Sequence, residues 1–114
     1  MVDMVKAPDH TSMQGRVIDL SITGIGLEVH NKDAQKLKYS DRLVLSFQLP
    51  GCTELFNITG VVSYKKPLEG NVRCGIKFDW SRTENFVYQE MSISRYIINH
   101  QQLMLKKRLM GTEE

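Results

Sequence analysis

Apolar residues in this chain recur first at every second position and later at about every 3.6, and the period changes near Trp80. Met1 to Ala7 suits a short first strand, closed by Pro8 and the polar turn Asp9-His10-Thr11-Ser12. Strands are expected at about residues 14–22 and 25–30, followed by a polar surface connection from Asn31 to Ser40 with room for a helical turn. Asp41 to Pro50 alternates apolar and polar residues, and Pro50-Gly51 ends it. Glu54 to Tyr64 reads as a long strand with a bend or bulge at Gly60, and Lys65 to Gly70 as a turn. Asn71 to Phe78 sets Val72, Cys74, Ile76 and Phe78 on one face. Strands this short, with regular turns, predict an antiparallel sheet that closes on itself, because closure removes exposed edges.

Beyond Trp80 the pattern turns helical. Ser81-Arg82-Thr83-Glu84 fits a capping box, no Gly or Pro interrupts the following residues, and Gly111 offers a stop, so one helix is expected over about 82–110. On a helical wheel Phe86, Ile93, Ile97 and Met104 form one stripe, and Val87, Met91, Ile98, Leu105 and Leu109 form a second. Together they span roughly 160°, more than one core-facing surface needs. One stripe is expected to cover the barrel and the other to face a second chain or a flanking domain. Self-association through this helix follows, although Ser94, Gln101 and Arg108 break any long coiled coil.

With 114 residues the chain supports a single domain over 1–114, barrel about 1–80 and then the helix. Its 41% hydrophobic and 25% charged residues are those of a globular protein. A net charge of +2 is too small to imply a nucleic-acid polymer as partner, and Lys106, Lys107 and Arg108 suit a solvated helix terminus. No apolar run is long enough for membrane insertion and nothing suggests a signal peptide, so a cytoplasmic protein with Cys52 and Cys74 reduced and half-buried is expected. His10, His30 and His100 are scattered, with no nucleophile or metal motif, so neither an enzyme nor a metal site is expected. Phe47, Phe56, Tyr64 and Phe78 are assigned to core packing rather than base stacking, and Trp80 to sealing the barrel end against the helix.

Asp19-Leu20-Ser21-Ile22-Thr23-Gly24 lies where the second strand reverses into the third. This D-x-S-x-x-G pattern resembles the second signature of PilZ domains, bacterial receptor modules for the dinucleotide c-di-GMP. Similar to that family as well are Asp41 before the Leu43–Leu49 strand and its Pro50, Gly60-Val61-Val62, Cys74-Gly75-Ile76-Lys77-Phe78 and the helix text Ser94 to Gln102. The likeness extends over about residues 14 to 108. It implies a mostly β fold, a six-stranded antiparallel barrel with one long C-terminal helix.

In c-di-GMP-binding members of the family, an R-x-x-x-R pair grips guanines and phosphates from a segment leading into the barrel, while the motif turn lines the other side. An arginine can donate two parallel hydrogen bonds to guanine or phosphate and can stack on a base. The resemblance assigns Asp19 to accept from the guanine N–H edge, Ser21 to contribute a hydroxyl, and Gly24 to turn with positive φ or approach the ligand closely. Asp and Ser before Gly also hold turns without any ligand, and both readings stand. No R-x-x-x-R occurs in this sequence. Arg16 and Lys6 are the nearest cations to offer a phosphate, but neither restores a paired clamp. Weak or absent binding of c-di-GMP is therefore expected unless arginines precede residue 1, with a ligand-independent interaction or oligomerisation domain as the alternative. No cofactor is expected.

Overall fold

The computed structural model describes the backbone of residues 1–111 and the side chains of residues 1–101. Six strands, β1 (Val2–Lys6), β2 (Thr11–Leu20), β3 (Gly24–His30), β4 (Arg42–Phe47), β5 (Phe56–Leu68) and β6 (Asn71–Phe78), form a closed antiparallel barrel. The order around it is β1-β2-β3-β6-β5-β4, with β4 returning to β1. A one-turn helix α1 (Asn31–Ala34) follows β3, a 3-10 turn spans Trp80–Arg82, and the long helix α2 runs over Phe86–Gly111. The six-stranded barrel with a terminal helix matches the sequence reading. Among the described residues no helix is long and apolar enough to cross a membrane.

Alternation builds the interior. Met4, Leu27, Leu43, Leu45, Phe56 and Ile58 are fully buried, each on the inward face of its strand. Phe47 stacks on Phe56 with ring centroids 5.3 Å apart, as expected of core aromatics. Cys74 is buried and Cys52 half-buried, and both thiols are free. Burial pushes the Cys74 thiol above its usual pKa.

Two β-bulges break the alternation. In β2 the register shifts between Val17 and Asp19, so Ile18 is the extra residue; in β5 it shifts between Val62 and Tyr64 at Ser63. A bulge moves every later side chain to the opposite face. Asp19, which strict alternation from Val17 would point inward, therefore faces outward opposite Gly26. Tyr64 likewise faces outward opposite Gly75. Lys65 turns towards the barrel end, where its ammonium donates to the carbonyls of Ala34 and Leu37, both at 2.9 Å. Those carbonyls lie at and beyond the end of α1, where cations are favoured.

The entry to α2 differs from the expected capping box. The Ser81 hydroxyl donates to Asp79 at 2.6 Å, residues 80–82 make a 3-10 turn, and the α-helix starts only at Phe86. Asn85 precedes it with φ of +52°. Thr83 and Gln89 hold this corner against the barrel. The Thr83 hydroxyl accepts from the Thr59 amide at 3.1 Å and donates to the Asp79 carbonyl at 2.8 Å. Buried Gln89 accepts from the Asn57 amide at 2.8 Å and donates to the Asn57 carbonyl at 3.0 Å, closing a two-bond clamp on β5.

Along α2, Ile93 is fully buried and Ile97 packs at the margin of the core, as the first stripe requires. Phe86 departs from that assignment and is 47% exposed, because the helix meets the barrel at its first turn through polar Gln89. Val87, Met91 and Ile98 of the second stripe are exposed, as is Tyr88. The side chains of Met104, Leu105, Lys106, Lys107, Arg108 and Leu109 lie outside the described residues.

Candidate functional site

The two bulges lie at opposite ends of one rung that crosses four strands. Asp19 of β2 pairs with Gly26 of β3, Gly26 with Gly75 of β6, and Gly75 with Tyr64 of β5. Both central positions are glycine for a steric reason. A Cβ on Gly26 would lie 2.5 Å from Asp19 Oδ1, and one on Gly75 only 2.0 Å from Tyr64 Cε2. The bare backbone lets the carboxylate and the phenol lie down on the outside of the barrel from either side.

Arg73 joins the two ends. Its Nη2 pairs with Asp19 Oδ2, and its Nε donates to the Tyr64 hydroxyl at 3.0 Å. The Tyr64 hydroxyl is the chief cause holding the guanidinium above its usual pKa, and the neighbouring Asp19 carboxylate adds to it. Lys66 sits 5.4 Å from the Tyr64 ring centre. Three residues back along β2 and two on along β3, Arg16 pairs with Glu28, its Nε donating at 3.1 Å, and Asn71 donates to the other Glu28 oxygen at 2.9 Å. The Asn71 amide first, and Arg16 second, hold the Glu28 carboxyl below its usual pKa. Two guanidinium groups and two carboxylates thus alternate over the outer face of β2, β3 and β6.

The motif turn is held internally. Ser21 N–H donates to the Gly24 carbonyl at 2.9 Å, while the Ser21 hydroxyl accepts from the amides of Gly24 at 3.2 Å and Thr23 at 3.3 Å. This is the side-chain-to-backbone pattern that stabilises a turn. Gly24 does not have positive φ; among the described residues the glycines that do are Gly51 and Gly70. Its requirement is close approach, since a Cβ there would lie 2.4 Å from the Ile76 carbonyl oxygen. Trp80 secures the turn from below. Its indole N–H donates to the Ile22 carbonyl at 3.0 Å and its ring meets Phe78 edge-on at 5.2 Å, so its polar contact is with the motif turn rather than the helix.

Beside this face lies a cleft of about 720 Å³ between β2, the β4–β5 loop and α2. Arg16 and Asp19 line it from β2 and Tyr96 and His100 from α2, and Met1 lines it as well. The Tyr96 and His100 rings are stacked at 5.9 Å. A smaller groove of about 280 Å³, also bordered by Asp19, contains Ser21, Gly24, Gly26 and Tyr64.

Of the residues singled out in the sequence, Asp19, Ser21, Gly24 and Arg16 come together around this surface. Lys6 does not. Its ammonium donates to the Lys36 carbonyl at 3.0 Å and pairs with Asp41 at 3.3 Å, and it lines neither cleft. Arg73, Tyr64, Gly26 and Gly75, which the sequence does not mark as site residues, complete this surface. Gly26 stands in the sequence as an unexplained glycine inside a strand, while Gly75 appears there only within the Cys74–Phe78 likeness; a glycine inside a strand is the signal that points to close approach. Among the described residues no group of His, Cys, Asp and Glu could hold a metal ion.

A PilZ domain profile matches residues 2–98. The chain belongs to the PilZ domain family. Two solved structures share its fold. One is the PilZ domain with c-di-GMP of YcgR from Escherichia coli, 16% identical with a TM-score of 0.69 over 94% of this chain and 86% of that one. The other is YcgR in complex with c-di-GMP from Escherichia coli, 17% identical with a TM-score of 0.67 over 94% of this chain. The match spans 43% of that longer chain. A search of the curated proteins found none that matches this sequence.

Proposed function

We propose that this chain is a non-enzymatic cytoplasmic regulatory module of the c-di-GMP receptor type, and that residues 1–114 supply only the aspartate and serine half of the ligand site. The observation that carries the reading is the bulge at Ile18. It brings Asp19 to the outer face beside a cleft that also contains Arg16 and Met1. A segment entering β1 from before residue 1 would pass that cleft, where a paired-arginine clamp has room to close on a dinucleotide. YcgR, which carries the same fold, is seen with c-di-GMP.

On its own this half-site is weak. The Ser21 hydroxyl is already occupied by the turn amides and one Asp19 oxygen by Arg73. A few further hydrogen bonds at about 0.5–1.5 kcal/mol each do not offset an association cost on the order of 4–15 kcal/mol. Titration calorimetry on three forms tests the reading. The chain as written should bind c-di-GMP weakly or not at all, an N-terminal extension bearing R-x-x-x-R at family spacing should confer binding, and Asp19→Ala in the extended form should abolish it. Tight binding by the unextended chain would show that the arginines are dispensable. No binding by the extended chain would favour the second reading, a ligand-independent interaction domain. That reading is supported by the exposed Val87, Tyr88, Met91 and Ile98 on α2, a face suited to a second copy of the chain.

A further inference from the structure

Resting on the receptor reading, we propose that Arg73 is the positioning residue for Asp19, fixing the carboxylate against Gly26 so that one oxygen is presented to a hydrogen-bond donor on the ligand. Three observations converge on this role. Arg73 stands opposite Glu28 in the β3–β6 register, yet its guanidinium reaches diagonally past that carboxylate to Asp19. Glu28 is satisfied instead by Arg16 and Asn71. The guanidinium is itself anchored, since Nε donates to the Tyr64 hydroxyl and the Tyr64 ring rests on Gly75. Asp19 nonetheless remains 58% exposed against 30% for Arg73, so the pair leaves the acceptor open while its holder is half covered.

The chemistry explains why such a holder matters. An ionised carboxylate offers two oxygens and only accepts. Free on the barrel surface, Asp19 would sample several rotamers, and a ligand would bear the cost of fixing one. Arg73 engages Oδ2, while Oδ1 lies over Gly26. One N–H of a planar heterocycle, as on the guanine edge, can then meet Oδ1 without displacing the arginine. Tyr64 acts at one remove: it reaches Asp19 only through Arg73.

The test couples ligand affinity to a ligand-free readout. In the R-x-x-x-R-extended protein, Arg73→Gln should weaken c-di-GMP binding about five-fold and Tyr64→Phe less, in the same direction, with Arg73→Lys intermediate because an ammonium keeps the charge but not the planar fork. In the unextended chain without ligand, three-bond couplings of the Asp19 β-protons should report a single χ1 rotamer, and averaging in Arg73→Gln. Weaker binding by Arg73→Gln with the Asp19 rotamer still single would mean that Arg73 touches the ligand itself, and would overturn the proposal. So would tighter or unchanged binding, which would make Arg73 a competitor or a bystander. If the extended protein binds no c-di-GMP the receptor reading fails, and the couplings alone then decide the claim. A single rotamer in the parent that averages in Arg73→Gln upholds positioning; averaging in both refutes it.

Discussion

Replacing Gly24 by alanine should destabilise the barrel by about 2–4 kcal/mol, through contact with β6 rather than through backbone conformation. The added Cβ would lie 2.4 Å from the Ile76 carbonyl oxygen and 3.4 Å from Ile76 C and Lys77 Cα. The blocking atom is backbone, in a strand hydrogen-bonded on both sides, so it has no rotamer to move into. Relief requires β3 and β6 to part locally, at the place where Phe78 N–H donates to the Thr23 carbonyl at 2.9 Å. Weakening that bond costs about 0.5–1.5 kcal/mol, and overpacking typically adds about 1–3 kcal/mol. Urea unfolding followed by Trp80 fluorescence measures the loss as a lower midpoint at unchanged slope. Gly24→Asn separates the two explanations. Asparagine tolerates left-handed backbone better than alanine, so a positive-φ requirement would make it the milder change. A contact requirement makes it at least as costly as alanine. A parental midpoint for Gly24→Ala, or clear rescue by asparagine, would refute the close-approach argument.

Gln89→Ala removes the clamp on Asn57 and strands a backbone N–H at the barrel margin, so a loss of about 1–3 kcal/mol is expected in the same unfolding assay; a change within error would mean that water replaces the clamp. Glu28 has its carboxyl pKa depressed from an ordinary 4.5, chiefly by the Asn71 amide and then by Arg16, so its contribution to stability is full above 4.5 and lost as pH falls through the lowered folded value. The difference in urea midpoint between the parent and Glu28→Gln should therefore be present at neutral pH and close on acidification below 4.5; a gap that persists through that range would contradict the assignment. For α2, light scattering at high micromolar protein should show a mass above that of the monomer, and Met91→Glu should return it to monomer. A strictly monomeric parent would remove the self-association reading.

The barrel was legible because its strands alternate cleanly wherever the register is regular, as in Leu43, Leu45 and Phe47 or Cys74, Ile76 and Phe78, all buried. The motif turn was legible because the Ser21–Gly24 hydrogen bonds are local in sequence. What escaped is non-local. Asp19 and Arg73 are 54 residues apart, and each end of the rung follows a bulge, so period two assigns both Asp19 and Tyr64 to the wrong face. Tyr64 accordingly reads as a core aromatic, although it lies outside on Gly75. The helix start departs from its sequence spacing for a related reason. Ser81 and Glu84 have capping-box spacing, but Ser81 is drawn to Asp79 and tertiary bonds from Thr83 and Gln89 fix where the helix begins.

On the receptor reading, the outer face around Asp19 is a ligand surface completed by arginines from a preceding segment. Amide chemical-shift mapping tests it most directly. On titrating c-di-GMP into the R-x-x-x-R-extended protein, shifts should concentrate on Arg16, on Asp19 to Gly26 and on Arg73 to Gly75, while Lys6 and the exposed stripe of Val87 and Met91 stay in place. Saturable binding with shifts centred on those distant residues, or no shift around Asp19 at saturating ligand, would contradict it.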